Sequence, residues 1–229
     1  MAANFGAHET MEIHEVLTGT IVGINQFQLF RPQVRDGQLG QMLDHQLGFM
    51  LTEYDNLVGM LNRQGQREAI PYQAPRVSAQ PVYGLDNPER QAPNFTAEQL
   101  DDRDIAAAML FYHKSSAAKK MTAALEIADS QVRRAIQQSA VNCSEQAYEV
   151  WQYMNQKGYY QVPTMKETTT AAVLGTYSQS GQSSSSAGMG SGGAQAPQGG
   201  QGPAAGAGQA GGDGNAALPS GNDSTAFTQ

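Results

Sequence analysis

The sequence has a single cysteine, Cys143, in 229 residues, so no disulfide can close within the chain. That agrees with an origin in a reducing compartment. No uninterrupted apolar run approaches the roughly 20 residues that span a bilayer. Residues 1–9 lack the basic and apolar regions of a secretory signal, so export by that route is not expected. Basic residues are few: 14 against 21 acidic, for a net charge of −7. Lys119-Lys120 and Arg133-Arg134 are the only basic pairs. A nucleic-acid binder needs a basic patch, so nucleic acid is not an expected partner. Neither phosphate-cradling glycine pattern, GxxxxGK or GxGxxG, occurs.

Apolar and charged residues are also scarce, at 40% and 15%, against about 45–50% and about 25% in typical soluble domains. The shortage is not uniform. From Lys166 onward, 64 residues hold 15 of the 25 glycines and only four charges, Lys166, Glu167, Asp213 and Asp223. Such a stretch buries too little apolar surface to offset the entropy of ordering it. Without it, 13 basic residues face 18 acidic ones. The expected organisation is a first helical hairpin over 1–63, a proline-rich crossover or linker over 64–95, a second hairpin over 96–163, and a disordered Gly/Ala/Ser/Gln-rich tail over 164–229.

The part that can fold reads as helix. Residues 8–31 repeat Ile13, Leu17, Ile21 and Ile24 at steps of three and four, widened by Val16 and Phe27. Pro32 ends that helix. A second helix over about 38–63 carries Leu39, Leu43, Leu47, Met50, Tyr54, Leu57 and Leu61, in steps of 4, 4, 3, 4, 3, 4, one face of an α-helix. Residues 64–94 hold Pro71, Pro75, Pro81, Pro88 and Pro93, which exclude regular helix. A third helix is expected from Thr96 to about Ala128, with Leu110, Lys114, Ala117, Met121 and Ala124 on one face and Ile105, Met109 and Tyr112 on another. Asp129-Ser130 caps a fourth over 130–157, closed by Gly158. Its stripe, Val132, Ile136, Ala140, Cys143, Ala147, Val150 and Met154, repeats the second helix's steps 93 residues later, with Asp129 in the place of Asp36. That phase match points to a duplicated hairpin. Two hairpins joined by a long crossover give the expected fold: all-α, a ferritin-like four-helix bundle.

Bundles of that topology often hold two metals, through a Glu from each of two helices and Glu-x-x-His from each of the others. None of His8, His14, His45 and His113 follows a Glu by three residues, and the fourth helix has no histidine. His45 falls opposite its helix's apolar stripe, and Glu145 points away from the core. The cluster His8, Glu9, Glu12, His14, Glu15 reads as a solvated first turn complementing the helix dipole. Cys143 lies within an apolar stripe and reads as a core thiol. No metal, cofactor-binding or catalytic residue is therefore assigned. Lys114 either snorkels to solvent or pairs with Glu15 or Glu53.

Several motifs resemble the spore coat protein F family of endospore-forming bacteria. They are Asp104-Ile105, Leu110, Lys114, Arg133 after "ADSQV", and "YMNQKGYYQVP" at Tyr153–Pro163. "HEVL" at His14–Leu17, "INQFQLFRP" at Ile24–Pro32 and "LDHQLGFMLTEYDNLV" at Leu43–Val58 extend the resemblance over about 8–163. Tyr159 stands where a family tryptophan is expected. The resemblance implies a non-enzymatic structural protein of the spore coat, made in the mother cell, with other coat proteins and itself as partners and no cofactor. Tyr72, Tyr83, Tyr159, Tyr160 and Tyr177 are expected to be exposed for contacts or oxidative cross-links, and Lys119 and Lys120 for isopeptide links. The alternatives are a ferritin-like metalloenzyme handling peroxide or oxygen, and an adhesion protein acting through its tail.

Overall fold

A computed structural model describes residues 5–62, 69–75 and 80–180. Among them are five α-helices and no strand: α1 (Ala7–Phe30), α2 (Gly37–Leu61), α3 (Asp102–Leu125), α4 (Ser130–Gln156) and α5 (Glu167–Leu174). The chain divides into two units, 1–176 and 177–229; all five helices lie in the first. None is long and apolar enough to cross a membrane.

Pro32 turns the end of α1 into one 3-10 turn, Arg31–Gln33. Asp36 then starts α2 by accepting from the Gln38 and Leu39 amides with Oδ1, at 2.8 and 3.1 Å. Asp129 starts α4 the same way, accepting from Gln131 and Val132 at 2.9 and 3.0 Å. Both contacts satisfy amides that the first turn of a helix leaves without a partner. The repeat seen in the apolar stripes thus extends to cap geometry. Gly158, with φ +74°, adopts the left-handed conformation that closes α4.

The third helix begins later than its sequence suggests. Thr96 opens only a short 3-10 turn, Ala97–Gln99. α3 starts at Asp102 because Asp101 and Asp104 cap each other: each carboxylate accepts from the other's amide, at 3.0 and 3.2 Å. α3 stops at Leu125, short of the expected Ala128. In the stretch expected to be a tail, α5 forms where Glu167 occupies the first turn, before the glycine-rich composition begins at Gly175. Most of that expected tail, 181–229, lies outside the described residues.

α1 packs on α2 and α3, and α4 packs on α3 and α2. Gly23 of α1 lets the Tyr112 ring lie against the helix, in space a Cβ would occupy. Two apolar clusters result. One joins Phe27, Leu39, Leu43, Met50, Ile105, Met109, Val150 and Tyr153. The other joins Ile13, Val16, Leu57, Ala123, Ala124, Ile127, Val132 and Ile136. Each fully buried aliphatic or aromatic side chain contributes about 1.5–3 kcal/mol relative to exposure. Both clusters draw on all four long helices, and the helix segments between them carry polar side chains.

Two faces differ from the sequence reading. On α1, Ile21 is exposed and Thr20 and Gly23 are buried. On α3, Lys114 and Met121 are exposed, whereas His113 and Lys120 are buried. The polar pair belongs to the true core face, so a search for apolar periodicity settles one position away from it.

The described parts of the proline-rich segment are fastened to α4 and its C-terminal extension. The Tyr72 amide donates to Asn142 Oδ1 at 2.8 Å, and Asn142 Nδ2 donates to the Ile70 carbonyl at 2.9 Å. Asn155 repeats this two-way grip on the Val82 backbone, at 2.8 and 2.9 Å. Gln161 grips Asp86 likewise, at 2.7 and 2.8 Å. Three amide side chains thereby replace the backbone partners that an extended segment lacks.

Candidate functional site

The polar layer between the two apolar clusters is built from residues seven apart on three helices: Gln46 and Glu53 on α2, His113 and Lys120 on α3, Asn142 and Glu149 on α4. Seven residues are nearly two turns, so each pair lies on one side of its helix. Two groups result, joined through Asn142.

Glu149 anchors the first group. Its Oε2 accepts from the Tyr72 hydroxyl at 2.5 Å and from Gln46 Nε2 at 2.8 Å. Gln46 Oε1 therefore faces His113 Nε2, which donates to it at 2.9 Å. That fixes the histidine tautomer and leaves Nδ1 as a buried acceptor without a protein partner. Because the Tyr72 hydroxyl gives its proton to Glu149, the exposed His45 must donate through Nδ1 to the Tyr72 oxygen, 3.0 Å away. A continuous hydrogen-bonded chain thus runs from exposed His45 to fully buried His113. Burial, with Lys120's charge adding, pushes the His113 pKa down to about 3. Burial and then Glu149 push the Tyr72 hydroxyl far above its ordinary value.

Lys120 anchors the second group. Its Nζ lies 3.3 Å from Glu53 Oε2 and 3.3 Å from Cys143 Sγ. Ser139 donates to Glu53 Oε2 at 2.7 Å, and Asn142 donates to Glu53 Oε1 at 2.6 Å. Burial works against the Lys120 ammonium, but Cys143 and Glu53 outweigh it and hold its pKa above the ordinary value. Burial raises the Cys143 thiol, with Lys120 opposing.

These residues do not fit a two-metal centre. Among the described residues, no three His, Cys, Asp or Glu side chains are grouped to hold an ion. Glu53 already has a cation against it, the Lys120 ammonium. Of the two readings open for Lys114, the pairing with Glu15 or Glu53 is made by other lysines. Lys119 bonds Glu15 at 2.9 Å on the surface, and Lys120 bonds Glu53 inside. Lys114 itself is exposed, its Nζ 5.1 Å from the Tyr160 ring centroid.

Other expected residues divide. Glu9 is buried, not solvated; it accepts from the Gly6 amide at 3.0 Å and the Asp129 amide at 2.9 Å. His8, His14 and Glu15 are exposed, Glu12 is half-buried, and Glu145 is exposed. Cys143 is a buried thiol. Tyr72 is buried because the crossover folds it onto Glu149, and Lys120 is buried against Glu53, so neither is a surface cross-linking residue. Tyr159 is half-buried against Tyr153, while Tyr83, Tyr160 and Tyr177 are exposed. Around Tyr83, Tyr159, Tyr160 and Arg103 lies an open cleft of about 700 Å³. Gln46, Asn142 and Glu149 went unread in the sequence, and His113 was weighed only as a metal ligand; the seven-residue spacing of Gln46–Glu53, His113–Lys120 and Asn142–Glu149 beside the apolar stripes was the available signal.

Residues 101–163 match the Coat F domain model. The chain is 31% identical over 163 residues to the spore coat protein F-like protein YhcQ of Bacillus subtilis (strain 168), covering 70% of this chain and 74% of that protein. No solved structure matches the chain.

Proposed function

The chain belongs to the spore coat protein F-like family, and we propose that it is a structural component of the bacterial endospore coat. In this reading residues 1–63 and 96–163 are two hairpins of a ferritin-like four-helix bundle, 64–95 is their crossover, and 164–229 form an appendage that begins with α5. The protein is made in the mother cell and deposited on the forespore. It assembles with other coat proteins and with itself through its outer helix faces, without catalysis.

One observation carries the reading: the similarity to a coat protein F-like relative spans most of both chains and is not confined to the C-terminal hairpin. The polar interior supports it. Glu53, Glu149 and Lys120 are occupied by one another, by amides and by hydroxyls, as in a network that fixes a unique core. A fluorescent fusion to the full chain, followed through sporulation, tests the reading. Signal should encircle the forespore and persist in coat extracts. Diffuse signal in vegetative cytoplasm, with none in the coat fraction, overturns it.

A further inference from the structure

Lys120, Cys143 and Glu53 place an amine, a thiol and a carboxylate on three different helices with Nζ 3.3 Å from both other groups. Lysine ammonium groups ordinarily find oxygen acceptors, so a thiol as one of two side-chain partners is unusual. Lys120 is 5% exposed and Cys143 2%, so both are held in place by the core and keep this separation. The nearest openings reach Glu53 but not Lys120 or Cys143. Glu53 lines two clefts that open to solvent, one of about 380 Å³ with His45, Phe49 and Ile70, the other beside Leu57, Met60 and Ser139. An oxidant little larger than water can approach the Glu53 carboxylate from outside, and reaches the sulfur only when the core opens.

We propose that Lys120 and Cys143 are an oxidisable pair that peroxide closes into a covalent Nζ–O–Sγ link between α3 and α4. In the first step sulfur attacks hydrogen peroxide. The O–O bond breaks, an S–O bond forms, and one water leaves, giving the sulfenic acid. A minor neutral form of Lys120, its extra proton passed to Glu53, is what the next step draws on. A second peroxide oxidises amine and sulfenic acid together. One N–H and the S–O–H hydrogen are lost, an N–O bond forms, the peroxide O–O bond breaks, and two waters leave. In total, one thiol, one amine and two peroxides give one N–O–S link and three waters, a four-electron oxidation. Two equivalents of a dithiol reverse it to amine, thiol and water.

Tight burial ordinarily keeps a cysteine inert, and exposed thiolates react fastest. Here burial outweighs the adjacent ammonium and keeps the sulfur a thiol, so attack is slow, and the fixed amine intercepts the sulfenic acid before further oxidation. The reaction is thus expected to be slow and to give one product.

The full-length protein, reduced and then exposed to hydrogen peroxide, is digested with trypsin and read by mass spectrometry. Modified Lys120 resists cleavage, so segments 120–133 and 135–157 should appear joined. Their summed mass should rise by one oxygen less two hydrogens, and dithiothreitol should separate them. Glu53→Gln should slow closure by roughly a hundredfold, as loss of a positioned base does, while the sulfenic acid still forms. Recovery of Cys143 as free thiol or as unlinked sulfinic acid overturns the proposal. So does a link lacking the oxygen, or closure at an unchanged rate in Glu53→Gln.

Discussion

Glu9 and Asp102 make the same contact at corresponding positions of the two hairpins. Glu9, in the first turn of α1, accepts from the Asp129 amide at the head of α4. Asp102, in the first turn of α3, accepts from the Arg35 and Asp36 amides at the head of α2, at 2.8 and 3.0 Å. The two carboxylates are 93 residues apart, the same offset that relates Asp36 to Asp129 and the two apolar stripes. Each hairpin therefore clamps the helix start of the other.

Removing either clamp should cost stability without altering the fold. Glu9→Ala and Asp102→Ala should each lower the unfolding free energy by about 1–2 kcal/mol. The sites lie near opposite ends of α1, so the double variant should show the sum. Chemical denaturation of the three variants checks this; strong coupling between the two would contradict independent clamps.

The Lys120–Glu53 pair should behave as a buried ion pair. Lys120→Met leaves Glu53 without its cation and should destabilise by roughly 3–5 kcal/mol. Glu53→Leu together with Lys120→Met should recover most of that loss. A double variant no more stable than the single one would show that Ser139 and Asn142, not charge balance, set the demand at Glu53.

His113 predicts a pH dependence. Its folded pKa of about 3 lies below the ordinary 6.5, so between those values the unfolded chain binds a proton that the folded chain refuses. Stability should therefore fall as pH drops from 6.5 toward 3, by about 1.4 kcal/mol per unit at most for this one group. Denaturant midpoints across that range should show the slope, and His113→Gln should flatten it. An unchanged slope would assign it to the carboxylates instead.

Tyr72 should hold the crossover against the helices. Tyr72→Phe deletes the hydroxyl that Glu149 and His45 share and should cost about 1–3 kcal/mol. Limited proteolysis should cut the variant faster within 64–80 than elsewhere. Equal protection of that segment in both proteins would mean that the Asn142 contacts suffice.

Gly23→Ala should destabilise although alanine is the better helix former by about 1 kcal/mol. The added methyl falls on the Tyr112 ring, which is held edge-on by Phe27 and His113. Overpacking of this kind costs about 1–3 kcal/mol. A thermal melt at or above the parent's would place Tyr112 on a softer footing than its neighbours suggest.

The four long helices, the caps of α2 and α4 and the order of these elements were legible in the sequence because each has a local cause, whereas α5 was not. Asp36 and Asp129 cap whatever follows them, Pro32 stops a helix in any setting, and the stripes of α2 and α4 are long. The polar layer was illegible for a related reason. A periodicity argument assigns polar residues to solvent, so Gln46, His113, Lys120 and Glu149 were read as outward or passed over. The face of α3 suffered most, since two of its core positions are His113 and Lys120. Whether the crossover was docked depended on partners 70–75 residues away, such as Asn142 for Tyr72 and Gln161 for Asp86; no local pattern reports these.

The lysine at the centre has one further consequence. A countercharge tethered by its own side chain has no dissociation constant. Chelators cannot strip it, dilution cannot release it, and drying cannot change its occupancy. In the reduced protein the charge balance of the Glu53 site is set by the chain itself, whatever ions its surroundings supply.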